Sequence, residues 1–150
     1  MTIYQFRRKQ WVRQDIVRVF NFFSRAENLE ALTPSFLRFR ITRTPPRMET
    51  GARIEYKLRV HGVPVHWKTF IESWDPPHCF VDVQARGPYR LWHHTHRFWR
   101  ENGGTWIEDT VRYSLPFGLL GRLVRRLVVA RDVAGIFDYR ERKIREVFPG

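Results

Sequence analysis

Cysteine is almost missing from this sequence: Cys79 stands alone among 150 residues. One thiol makes neither an internal disulfide nor a thiolate zinc site, and a reducing cytoplasm is the expected compartment. Serine is scarce as well, with four residues, none in a nucleophile-elbow pattern, and there is no glycine-rich phosphate loop. No stretch approaches the roughly 20 consecutive apolar residues that a membrane-spanning helix needs. The leading MTIYQFRRKQ has charge but no apolar run behind it, so no signal peptide is expected. Negative charge is the remaining shortage, since 15 acidic residues face 27 basic ones, most of them arginine, for a net charge of +12.

Such an excess favours polyanions. The arginines are scattered from Arg7 to Arg145, however, and no zinc finger, helix-turn-helix or RNA-binding sheet pattern accompanies them, so nucleic acid is disfavoured as a partner. A solvated arginine-rich surface accounts for most of the charge, and weak association with anionic membrane surfaces stays open. With 43% hydrophobic and 15% aromatic residues, the chain is expected to fold as one domain over residues 1–150.

Its periodicities outline that domain. Residues 3–11 are extended in character, Asp15 is placed to cap a short helix with Ile16, Val19, Phe20 and Phe23 at helical spacing, and Ala26–Leu32 reads as a second one. FLRFRIT, with Leu37, Phe39 and Ile41 alternating, reads as a strand. From Arg53 to Val60 every even position is apolar, and a His61-Gly62 turn pairs Tyr56 with Trp67 and Leu58 with Val65 in the strand that follows. Asn102-Gly103 likewise pairs Trp99 with Trp106, Arg97 with Glu108, His96 with Asp109, His94 with Val111 and Trp92 with Tyr113.

One face of that second hairpin then carries Trp92, His94, His96, Phe98, Ile107, Asp109, Val111 and Tyr113, and looks inward. His93 falls on the other face, with an expected Arg97–Glu108 ion pair. Beyond Pro116 a long helix is expected, with Leu120, Leu123, Leu127, Ala130, Ala134, Phe137, Ile144 and Phe148 as its apolar stripe and Arg140 among its outer residues. The fold class is α+β: a curved antiparallel sheet of about seven strands, in the order β-α-α-β6-α, gripping the C-terminal helix.

This order, and the segments NFFSRAENLEALTP, GVPVHWKTFIESWDPPHCFVDVQARGPYRLWHHTHRF and EDTVRYSLPFGLLG, resemble the START-like helix-grip superfamily, also called the polyketide cyclase/dehydrase and lipid-transport group (SRPBCC). Small bacterial ligand-binding members are the most similar, and Trp92-x-His94-x-His96-x-Phe98 fits their pattern. The resemblance implies a cavity between sheet and helix that holds a hydrophobic ligand. The superfamily shares no catalytic motif, so the resemblance implies no catalytic residue.

Three chemistries compete for the histidines. Two imidazoles and a carboxylate can ligate a divalent metal, a His96–Asp109 pair can act as general acid and base in a cyclase or dehydratase, and a His–Asp pair can line a pocket as a self-satisfied polar group. The third is favoured; no metal and no cofactor are expected. Expected lining residues are Tyr56, Trp67, Trp92, His94, His96, Asp109 and Tyr113 from the sheet, and Leu123, Leu127 and Phe137 from the helix. Asp82, with Gln84, joins them if the even positions of its strand turn inward, although Val81, Val83 and Ala85 are the better core candidates by polarity. Residues 117–120, with Gly118 among them and Gly121 next in the chain, are expected to form part of a flexible entrance. The expected function is binding or transport of a lipid, isoprenoid, quinone or polyketide-like molecule. The alternatives are the enzyme just described and a peripheral membrane protein docking through RLVRRLVV.

Overall fold

A computed structural model describes all 150 residues. Seven antiparallel strands form one sheet: β1 (Tyr4–Val12), β2 (Arg40–Arg43), β3 (Arg53–Val60), β4 (Val63–Asp75), β5 (Cys79–Arg86), β6 (Leu91–Glu101) and β7 (Gly104–Ser114), in the spatial order β1-β7-β6-β5-β4-β3-β2. Helices α1 (Ile16–Phe23) and α2 (Asn28–Leu32) connect β1 to β2. After β7 the chain is helical to Val147, as α3 (Gly118–Val124), a π-helical stretch (Arg125–Val129) and α4 (Ala130–Val147). None of these helices is long and apolar enough to cross a membrane.

Local chemistry explains the framework. Asp15 caps α1 by accepting from the Val17 N–H at 3.0 Å, and Ile16, Val19, Phe20 and Phe23 are buried. Both tight hairpins place two consecutive residues at positive φ, His61-Gly62 and Asn102-Gly103, as a twisted two-residue turn requires. These turns fix the expected registers, with Tyr56 opposite Trp67 and His96 opposite Asp109. Two register shifts in β4, after Lys68 and after Ile71, bend that strand. FLRFRIT departs from expectation: Ser35–Leu37 form a short helical turn, Arg38 sits at φ +48°, and the strand begins only at Arg40.

Three elements run through the interior in the same sequence of chemistries. Phe98 of β6, Ile107 of β7 and Ile144 of α4 join α1 in one apolar cluster. Val111 and Tyr113 of β7 join Val133 and Phe137 of α4 in a second, against which Trp92 of β6 packs. Between them lie His94 and His96, Asp109, and Arg140, all buried. A polar belt thus divides the core across all three elements. Arg140 is therefore buried and not on an outer face.

Candidate functional site

The belt closes one side of a cavity of about 530 Å³ between the sheet and α4. Tyr56, Trp67, Asp82, Trp92, His94, His96 and Phe137 line it, as does Arg140. Its aromatic wall is continuous: Tyr56 stacks on Trp67 at 6.0 Å, and Trp92 meets Trp67 edge-on at 5.6 Å. The Tyr56 hydroxyl shares a hydrogen bond with Thr69 at 2.9 Å, and burial raises its pKa. Tyr89, which the sequence pattern did not single out, adds its ring to Trp67 and Trp92, held by Gln84 through two hydrogen bonds to its backbone. Asp82 faces the cavity with Phe80, while Val81 and Val83 lie only half-buried. Polarity misjudged β5 because Asp82 has partners inside; Gln84 braces the loop and does not line the cavity.

Four expected positions lie elsewhere. Asp109 sits behind the histidines. Tyr113 is buried among Tyr4, Tyr89 and Trp92. Leu123 and Leu127 point into solvent, 53% and 65% exposed. The face that α4 presents inward runs Val133, Phe137, Arg140, Ile144, and at about 100° per residue this face does not extend back to Leu127 or Leu120. The π-helical stretch, with its wider turn, further interrupts the α-helical phase between the two parts. Residues 117–120 do not border the cavity.

The pairing within the belt also differs from the register. His96 lies opposite Asp109, yet its shortest bond is from Nε2 to Asp82 Oδ2 at 2.6 Å, while Nδ1 stays 3.3 Å from Asp109 Oδ1. His94 Nε2 bonds Asp109 Oδ1 at 2.8 Å. Arg140 Nη2 reaches the same Asp109 oxygen at 3.3 Å, and its guanidinium lies 5.0 Å from the Phe23 ring centre. The imidazoles stack at 3.6 Å, and Phe80 covers His96 at 3.9 Å. On the outer face Glu108 pairs with Arg7 from β1, at 2.5 Å, in place of the expected Arg97, and His93 faces Glu72.

Charge follows from these contacts. Burial works against the Asp109 carboxylate, but Arg140 and hydrogen bonds from both histidines hold its pKa well below the usual range. Burial likewise opposes the Asp82 carboxylate, and the histidines and Arg140 hold its pKa down. Burial would lower the His96 pKa, yet hydrogen bonds to two carboxylates raise it. Burial lowers the His94 pKa, and the charge on His96 lowers it further. Between the lowered His94 pKa and the raised His96 pKa the belt is neutral as a whole, with two carboxylates, one guanidinium, one imidazolium and one neutral imidazole. Neutral His94, donating from Nε2 to Asp109, keeps Nδ1 as an acceptor, 3.8 Å from Asp82.

Asp82, His94 and His96 each bring a ligand atom within 4.8 Å of the others, the donor set of a divalent-metal site. The His94 and His96 ring planes are tilted by only 26° at a centroid separation of 3.6 Å, so they meet well beyond a metal–nitrogen bond of about 2 Å. This geometry suits shared protons better than a shared ion.

No family model matches the chain, and no curated protein matches it in sequence. Solved structures do. TTHA0849 from Thermus thermophilus superposes with a TM-score of 0.74 at 19% identity, over 96% of this chain and 99% of that one. A START superfamily protein from Mycobacterium smegmatis gives 0.71 at 9% identity, over 95% and 98%. A norcoclaurine synthase point mutant from Thalictrum gives 0.70 at 13% identity, over 97% and 96%. The chain has the START-like, helix-grip fold. Within that fold, the cavity described above lies between the sheet and the helix it grips, with the polar belt at one side.

Proposed function

We propose that this chain, acting as one cytoplasmic domain, binds and carries a hydrophobic small molecule with one polar end. A lipid, an isoprenoid, a quinone or a polyketide-like compound has that character. The observation that carries the reading is the 530 Å³ cavity, walled by Tyr56, Trp67 and Trp92 and polar at the belt. That volume falls in the usual range for small-molecule sites, and an apolar wall with few convergent polar groups fixes a ligand's orientation. The apolar body would rest on the aromatic wall and the polar end would face His94, His96, Asp82 and Arg140.

A second reading has its own observation. His94, oriented through Asp109 and keeping an unprotonated Nδ1, beside a charged His96, is a base next to an acid, as a cyclase or dehydratase would use. The norcoclaurine synthase structure, a complex with a transition state analogue, lends this fold-level support. The two readings part at His96→Ala, measured by titration with a long-chain fatty acid, a short-chain quinone and farnesol. A carrier keeps most of its affinity, losing about 1–2 kcal/mol for one hydrogen bond. An acid/base enzyme loses rate by roughly 10²–10⁴. Failure of all three probes to bind the wild-type chain would contradict the carrier reading.

A further inference from the structure

The apolar stripe on the first part of the C-terminal helical run faces the wrong way for a core. Leu119, Leu120, Leu123 and Leu127 are 79, 61, 53 and 65% exposed, and Phe117, just before the helix, is 79% exposed. Val124 and Val128 extend the patch at its margin. The side turned toward the protein is made of smaller or polar groups. A Cβ at Gly121 would meet the Pro116 carbonyl oxygen at 2.2 Å, and the Arg125 guanidinium lies over the Tyr4 ring at 4.1 Å. Single exposed leucines are ordinary on a folded protein, but a contiguous set on one helix face marks a contact surface.

The surroundings identify the partner. Arg122, Arg126 and Arg131 are exposed around the patch, and no acidic residue occurs between Asp109 and Asp132. We infer that this face docks on an anionic membrane surface, its leucines entering the boundary between headgroups and acyl chains while the arginines meet lipid phosphates. An exposed apolar face rimmed by arginine is the composition that interfacial helices use. A second copy of the chain is the poorer occupant, because pairing would bring two arginine rims together on molecules of charge +12. Asp132, bonded to His61 at the β3–β4 turn at 2.7 Å, follows the patch by little more than one helical turn and lines the cavity. Docking therefore takes place beside the cavity. The inference does not depend on what the cavity holds.

Co-sedimentation with vesicles of phosphatidylcholine, with and without phosphatidylglycerol, tests it on the full chain. The wild type is expected to sediment with the anionic vesicles at low salt, to bind the neutral ones far less, and to be released as salt rises. Leu123→Ser/Leu127→Ser keeps every charge and should bind at least about tenfold more weakly, with unchanged circular dichroism because both side chains are already in solvent. Leu127→Ser alone should lose part of the binding and serves if the double variant misfolds. Arg122→Ser/Arg126→Ser should weaken binding to the anionic vesicles only. Wild-type protein left in the supernatant at low salt would overturn the inference. So would leucine variants that bind as tightly as the wild type, since charge alone would then suffice. A wild-type dimer in light scattering that the leucine variants dissolve would assign the face to self-association instead.

Discussion

Residues 118–129 and residues 130–147 belong to one helical run, yet they invert the usual burial rule in opposite senses. The C-terminal part buries a charge: Arg140 is 7% exposed, beneath Phe23 and against Asp109. The N-terminal part exposes its leucines. A buried charge is stable only when paired and hydrogen-bonded, and Arg140 is paired through Nη2 with Asp109 at 3.3 Å, while its buried Nε has no partner. An exposed apolar face has no internal remedy, and α3 offers its leucines to something outside the chain. The buried charge of Arg140 therefore has its counter-ion, Asp109, within this molecule, while the apolar face outside has no partner in it.

The comparison can be broken most severely at Asp109. Replacing it by alanine strands Arg140 and His94, and urea denaturation should show a loss of about 3–5 kcal/mol. Phe137→Ala, which removes a ring packed 4.9 Å from Phe6 and 5.6 Å from His94, should cost about 3 kcal/mol, the low end for phenylalanine because the ring already borders a cavity. A smaller effect should appear with pH. The raised pKa of His96 makes its contribution complete below about pH 6.5 and lost as pH climbs through that raised value. The lowered pKa of His94 acts in reverse: its contribution is complete above about 6.5 and fades as pH falls toward that lowered value. Asp109 adds a further loss at strongly acid pH, where its depressed pKa is finally crossed. Ring-proton NMR should find one imidazole titrating above about 6.5 and its neighbour below; a shared midpoint would break the proposed division of charge. Least affected should be Leu123→Ser, within about 0.5 kcal/mol of wild type. A loss matching that of Phe137→Ala would show α3 to be packed after all.

These contrasts also show what sequence could convey. Period-two alternation and the His61-Gly62 and Asn102-Gly103 turns carried both hairpins and their registers, because each is a local property of a few residues. Strand parity put Trp92, His94 and His96 on the inner face for the same reason. Cross-strand reach was less legible: Asp109 stands opposite His96 but makes its closest bond to His94, and Asp82 completes the set from β5 against its apolar neighbours. The helix was read by polarity, which assigns leucine inward and arginine outward. Arg140 did leave a signal, since it fills the slot between Phe137 and Ile144 on the face where a core residue belongs. Nothing in RLVRRLVV distinguishes a stripe that meets a sheet from one that meets a lipid.

The carrier account is tested most directly by native mass spectrometry of the wild-type chain and of Leu58→Trp, which places an indole in the cavity that Leu58 lines. The account predicts one apolar molecule held per wild-type chain, either co-purified or taken up from an added lipid mixture, and none on the variant. A wild-type chain that stays at its bare mass after such exposure, or equal loading of both proteins, would contradict it.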